Sequence, residues 1–261
     1  MQALADFIAQ HAVAVLVGVA LLLLVATALF WRLVERYAPA MSRALRAVRL
    51  GVVATLAFAV AVFAIVVFFE VVDEIEVGES MAEFDVALSA ALRRHLPHET
   101  AQVFATITHL GDGAVLTGLG LCVAVFLMAQ RRWTVAAAWV VATLTGGLLN
   151  RLLKSIFERT RPLHDHGLVS ETSWSFPSGH ASGSMIVYGL LGYIIVRHTR
   201  PVWHIPAALV CVTLIVFVGS SRVLLQVHYL SDVLAGYASG AAWVALWIAG
   251  LEAMRRRERG M

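Results

Sequence analysis

The run WHIPAALVCVTLIVFVGS at 203–220 carries no Asp, Glu, Lys or Arg, and it passes directly into SRVLLQVHYLSD at 221–232. A helix crossing the hydrocarbon core of a bilayer needs about 20 predominantly apolar residues. The first segment meets that need, and the second places ionisable groups at its end. Apolar runs of the same kind recur over 11–33, 49–71, 113–130, 133–152, 180–197 and 231–252. Together they predict an all-α, polytopic membrane bundle of about seven helices.

The composition agrees. Of 261 residues, 60% are hydrophobic and 14% charged, with a mean hydropathy of +0.80. Soluble domains carry about 25% charged residues, so too little charge is present to cover a water-facing surface. The same figures exclude disorder and a disulfide-rich secreted scaffold. Cys122 and Cys211 both sit inside apolar runs, with neither disulfide nor metal-knuckle spacing. The net charge of +3 comes from a basic set of 19 arginines and a single lysine, Lys154. These flank apolar spans and form no stripe with interleaved aromatics, which excludes nucleic acid as a partner.

Their placement predicts orientation. Arg32, Arg36, Arg43, Arg46 and Arg49 separate the first two spans, Arg131 and Arg132 the third and fourth, and Arg197 and Arg200 the fifth and sixth. Arg255, Arg256, Arg257 and Arg259 close the chain. All 13 fall on one side if the N-terminus is outside and the C-terminus cytoplasmic, as the positive-inside rule requires. The other seven (Arg93, Arg94, Arg151, Lys154, Arg159, Arg161 and Arg222) fall outside, where another role must hold them.

The first span competes with a secretory signal, since Ala26-Thr27-Ala28 resembles a cleavage box. No basic residue precedes the run, and cleavage would leave an Arg-rich end outside, so a retained helix is the reading. The outside connector 73–112 opens with Asp73, Glu74, Glu76 and Glu79, then sets Phe84, Leu88 and Leu92 at helical spacing beside Arg93 and Arg94. That pattern suits an interfacial amphipathic helix, with a solvated connector as the alternative. Without repeats or linkers, 1–261 reads as one domain.

Three clusters lie at span ends on the predicted outer side. Lys154 and Arg161, in the stretch 154–162, are seven residues apart and share a face if the helix continues, with Pro162 placing Arg161 at its end. Alone, this reads first as interfacial snorkelling anchors. Phe176-Pro177-Ser178-Gly179-His180 opens the fifth span, with Pro177 suited to a first turn. Small residues there leave backbone N–H groups open to an anion, with His180 as a candidate proton donor beside it; an ordinary helix start with a membrane-interface His is the alternative. In 221–232, Arg222 precedes His228 and Asp232, an i, i+4 pair in which the carboxylate fixes the imidazole tautomer. A purely structural His–Asp pair remains the alternative. Taken together, cations, a helix N-terminus, two imidazoles and a carboxylate suit phosphate chemistry.

Lys-x6-Arg-Pro, Pro-Ser-Gly-His and Ser-Arg-x5-His-x3-Asp, in this order over about 150–236, resemble the three signature motifs of the type 2 phosphatidic acid phosphatase family. That family includes lipid phosphate phosphatases and bacterial undecaprenyl-pyrophosphate phosphatases. The resemblance implies a six-helix family core, to which the helix over 11–33 is an N-terminal addition. It implies that His228 is the nucleophile of a phosphohistidine intermediate, that Asp232 orients it, and that His180 protonates the leaving oxygen. It further implies that Lys154, Arg161, Ser178, Gly179 and Arg222 hold the phosphoryl group, with Arg159 as a secondary contact. No cofactor and no metal is implied.

Other residues are read more plainly. His164-Asp165-His166 is a solvated or substrate-facing loop. Arg151 lines the same cavity or pairs with a carboxylate such as Glu70. Trp174 packs the loop or the interface. His109 and Asp112 lie at the cavity rim, with Asp112 as a helix cap. The expected function is hydrolysis of a polyprenyl or glycerolipid phosphate at the outer face of a bacterial inner membrane, without metal. A phosphotransferase using the same intermediate, and a non-catalytic lipid transporter or scramblase, are the alternatives. The oligomeric state is not encoded in these patterns.

Overall fold

Each apolar run forms a helix, because in hydrocarbon every backbone N–H and C=O must find a partner within its own segment. The computed structural model describes residues 1–37, 43–77, 80–163 and 167–260. Glu79, the His164-Asp165-His166 run, and the side chains of Arg43, Arg46, Arg49, Arg256, Arg257 and Arg259 lie outside the described residues. The helices are α1 (Gln2–Gln10), α2 (Ala12–Tyr37), α3 (Arg43–Glu76), α4 (Ser80–His95) and α5 (His98–Thr108), followed by α6 (Gly113–Ala129), α7 (Trp133–Phe157), α8 (Gly179–His198), α9 (His204–Leu224) and α10 (Leu230–Gly260).

Six of these are long and apolar enough to cross a membrane: stretches of α2, α3, α7, α8 and α10, and the region Pro201–Leu224 that contains α9. The third expected span differs. α6 has only 17 residues, and it reaches spanning length only with His98–Gly111, from which it is bent by 42°. The break falls at Asp112. The connector contains α4 and α5, and Leu88 and Leu92 of α4 are buried in one cluster with Ala5 and Ala9 of α1. The short helix α1 had no counterpart in the sequence reading.

Two glycines bring the second and third motifs together. α10 packs against α8, and a Cβ at Gly236 would stand 2.7 Å from the Ser178 carbonyl oxygen, while one at Gly240 would stand 2.9 Å from that of Ser182. Small residues one turn apart let two helix backbones approach this closely. Ser178 N–H then donates to the Asp232 carbonyl at 2.9 Å, which pins the start of α8 to the start of α10. On the other flank of α10, Phe68 of α3, Phe157 and Phe176 stack, with the latter two ring centres 5.0 Å apart. That aromatic cluster fixes the end of α7 against the segment leading into α8.

As a result the N-terminal ends of α6, α8 and α10 and the C-terminal ends of α7 and α9 face one end of the bundle. The turns bearing Arg131, Arg132, Arg197 and Arg200 lie at the opposite helix ends.

Candidate active site

The geometry begins where α7 stops. Glu158 adopts the left-handed conformation (φ 44°) that closes a helix, and its N–H donates to the Lys154 carbonyl at 3.1 Å. The helix therefore ends at Phe157, not near Arg161 as Pro162 alone suggested. Lys154 and Arg161 still converge, because both donate to the Trp174 carbonyl, Arg161 at 3.2 Å. The loop between α7 and α8, rather than a shared helix face, unites them.

Arg161 is held on several sides. Its Nε donates to the Ser173 carbonyl at 2.7 Å, and one terminal nitrogen donates to the Val227 carbonyl at 2.6 Å. That same nitrogen lies 3.0 Å from His228 Nε2. A guanidinium has no acceptor capacity, so this contact requires a lone pair on Nε2 and places the imidazole proton on Nδ1. Nδ1 in turn lies 3.3 Å from Asp232 Oδ2 and 3.3 Å from Ser175 Oγ, while Ser175 donates to the same carboxylate oxygen at 2.5 Å. His228 is 2% exposed and Asp232 fully buried. Burial, with Arg161 and Arg222 nearby, pushes the imidazole down to about 3 against the pull of Asp232. His228 is thus neutral near pH 7, with its lone pair on Nε2.

His228 precedes α10 rather than sharing a helix face with Asp232. The expected proximity arises differently: the Asp232 carboxylate accepts the Tyr229 N–H at 2.9 Å and so folds the 228–229 segment back over the helix start. Ser178, not Pro177, opens α8, with its hydroxyl accepting the Ala181 N–H at 3.4 Å and Gly179 as the first helical residue. A Cβ at Gly179 would meet Asn150 and Lys154, so the α8 start faces the α7 cation directly.

Arg222 is fully buried, donating to Thr108 Oγ1 at 2.7 Å and to Glu171. Glu171 also lies 3.7 Å from Arg161. Burial works to raise the Glu171 carboxyl, but Arg222 and Arg161 outweigh it and hold it below its ordinary value. His180 Nε2 is bonded to Asp112 Oδ1 at 3.0 Å, and His109 holds the other oxygen at 2.7 Å. Asp112 stands at the N-terminus of α6, yet its side chain makes no cap bond; the carboxylate is turned to the imidazoles instead. Arg159 has one terminal nitrogen on Asp232 Oδ1 (2.7 Å) and the other on Asp85 Oδ2 (2.9 Å). Its guanidinium also stacks on Tyr229, 4.4 Å from the ring centre.

A cleft of about 690 Å³ opens here, lined by Arg151, Lys154, Arg159, Arg161, Glu171 and Trp174 among others. Arg151 therefore faces the cleft, as one of its two readings held. Among the described residues no three His, Cys, Asp or Glu side chains are arranged to hold a metal. Four residues escaped the sequence reading: Asp85, Glu171, Ser175 and, as partner of His180, Asp112. Only Asp85 left a signal. It stands three residues before Leu88 and seven before Leu92, so it is a charge on the apolar stripe of α4.

These cations and two carboxylate-held imidazoles gather at one end of a membrane helix bundle. Comparison with known proteins gives the class. The sequence signature described as the PAP2 superfamily matches residues 133–256. Phosphatidylglycerophosphatase B of Bacillus subtilis is 35% identical over 146 residues, 53% of this chain and 69% of that protein. Lipid A 1-phosphatase of Rhizobium etli is 28% identical over 197 residues, 65% of this chain and 78% of that protein. The crystal structure of a transmembrane PAP2-type phosphatidylglycerolphosphate phosphatase from Bacillus subtilis superposes with a TM-score of 0.65 at 29% identity, covering 76% of this chain and 96% of that one. The chain belongs to the PAP2 superfamily, and as such it is a membrane-integral lipid phosphate hydrolase.

Proposed function

We propose that this protein, acting as a single membrane-embedded domain, hydrolyses the phosphomonoester of a glycerolipid phosphate through a covalent phosphohistidine. The glycerolipid reading is supported by the phosphatidylglycerophosphatase relatives. Polyprenyl diphosphate is the second substrate class, presented by the same kind of interfacial headgroup.

Nε2 of His228 attacks phosphorus, and the P–O bond to the lipid alcohol breaks as the P–N bond forms. His180 gives its proton to the departing oxygen, then takes one from the water that attacks the phosphohistidine. Phosphate leaves and Nε2 recovers its lone pair. Asp232 stabilises the charge that develops on His228, and Asp112 accepts from His180 Nε2–H and favours its imidazolium form, whose second proton, on Nδ1, is the one transferred. Lys154, Arg161 and Arg222, with Ser178 and the backbone at Gly179, bind the phosphoryl oxygens. Cations and helix N–H groups fixed in advance need no reorganisation as charge shifts. The observation that supports this most directly is His228 itself, with Arg161 at 3.0 Å on Nε2 and Asp232 at 3.3 Å on Nδ1.

In this reading the cleft opens at the extracytoplasmic face of a bacterial inner membrane. This is supported by Arg131, Arg132, Arg197 and Arg200 at the opposite helix ends. A lipid headgroup then reaches the site from the outer leaflet without deep extraction. The test is phosphate release from a panel of lipid mono- and diphosphates in detergent, with His228→Ala as control. Glycerolipid monophosphates turned over fastest and a silent variant support the reading; equal turnover by the variant contradicts it.

A further inference from the structure

Asp85 is 1% exposed and sits on α4, far in sequence from every signature motif. Its carboxylate accepts from the Ser231 hydroxyl, from the Ser231 N–H at 3.2 Å and from Arg159 at 2.9 Å. Arg159 bridges onward to Asp232 Oδ1 at 2.7 Å and to Ser231 Oγ at 2.7 Å. Asp232 has its other oxygen on His228 and Ser175. The chain of contacts Asp85–Arg159–Asp232–His228 is continuous and spans three parts of the fold.

Resting on the reading of His228 as nucleophile, we infer that Asp85 is a positioning residue, locking Arg159 across two carboxylates so that Asp232 holds the His228 ring in its attacking orientation. Two features make this more than packing. A planar guanidinium presents its two terminal nitrogens in a fixed fork, so engaging Asp85 with one aims the other at Asp232. Both buried carboxylates, Asp85 and Asp232, are paired with Arg159, so neither acid is left without a cationic partner. Arg159 thereby acts through Asp232 rather than as a phosphate ligand. α4 also packs on α1, where Arg94 pairs with the exposed Asp6 at 2.7 Å, away from the clamp.

The experiment measures kcat and KM for a lipid phosphate in detergent for Asp85→Asn, Arg159→Lys, Arg159→Gln and Asp85→Asn/Arg159→Gln, with Asp6→Asn and His228→Ala alongside. Asp85→Asn lowers kcat about 10–100-fold, the scale of a small misplacement of a reacting group, and leaves KM within about twofold because the phosphate cations are untouched. Arg159→Lys, which keeps the charge but loses the fork, behaves likewise. The double variant is no slower than Arg159→Gln, since both changes break one linkage. Asp6→Asn, which loosens an exposed pair between α1 and α4, matches the wild type. A wild-type kcat in Arg159→Lys, or additive losses in the double variant, overturns the inference. If Asp85→Asn does not fold, Arg159→Lys decides alone. Activity surviving in His228→Ala instead overturns the nucleophile assignment, a separate outcome.

Discussion

Arg161 lies 3.0 Å from Nε2 of His228, so a permanent donor faces the atom proposed to attack. The same guanidinium is anchored to the Ser173 and Val227 carbonyls, which keeps it from following the imidazole. In the proposed attack, the N–H that now faces Nε2 is released to a phosphoryl oxygen while the Ser173 and Val227 contacts stay in place. Arg161→Ala should lower kcat/KM on the order of 10²–10³-fold, as for loss of one fixed donor to a developing oxyanion. Arg161→Lys should recover little of it, because a single ammonium cannot hold the carbonyls and the phosphoryl group together. Steady-state kinetics on one lipid phosphate checks both; recovery to the wild-type value in Arg161→Lys would refute the role of the fork.

The Asp112–His180 pair predicts a dependence on leaving group. An alcohol oxygen needs a proton as it departs, whereas an aryl oxide or a phosphate leaves with little help. His180→Ala should cost about 10²–10⁴-fold with an alkyl phosphate, and Asp112→Asn should cost less. Both losses should shrink with p-nitrophenyl phosphate. Equal losses with both leaving groups would contradict general acid catalysis by His180.

Glu171 pairs with Arg222 and Arg161, the cations assigned to phosphate. It occupies them as an internal anion, so substrate binding must compete with it. Glu171→Gln should therefore tighten inhibition by vanadate and by inorganic phosphate, measured as a lower inhibition constant in the same assay. A weakened or unchanged constant would show that Glu171 helps to build the anion site instead.

The buried neutral His228 links stability to pH. Its pKa is about 3 when folded and about 6.5 when unfolded, so below 6.5 the unfolded chain binds the proton first. The stabilisation from keeping it neutral is complete above about pH 6.5 and is lost as pH falls toward 3, by about 1.4 kcal/mol per unit. Thermal unfolding in detergent should fall more steeply between about pH 7 and about pH 4.5 in the wild type than in His228→Gln. Parallel curves would mean the imidazole is not buried neutral.

The close contact of α8 and α10 is tested by Gly236→Val. A Cβ there meets the Ser178 carbonyl at 2.7 Å, and overpacking of this kind costs about 1–3 kcal/mol. The variant should melt lower in detergent and lose activity as the α8 start shifts. A wild-type melting temperature would show that the helices can part without cost.

Most of the bundle was legible, since hydrocarbon tolerates so few structures that apolar runs translate into helices almost directly. Where the reading stopped, the cause was local chemistry or long-range contact. The end of α7 is set by the left-handed Glu158, which no residue type announces, so Arg161 was wrongly placed on a helix end. The motif residues were found because their spacing is short and ordered. Asp85 was not, because its partner Ser231 is 146 residues away. Asp112, 68 residues from His180, reads like any helix cap until the fold turns its carboxylate aside. Glu171 is an ordinary loop acid until Arg222 is seen buried beside it.

The central claim is the covalent bond to His228 Nε2. Rapid acid-free quenching of the enzyme mixed with radiolabelled lipid phosphate, followed by peptide mapping, tests it most directly. The account predicts an acid-labile, base-stable label on His228 that rises in His180→Ala and is absent from His228→Ala. Full turnover with no label on His228 at any quench time in either wild type or His180→Ala would contradict it.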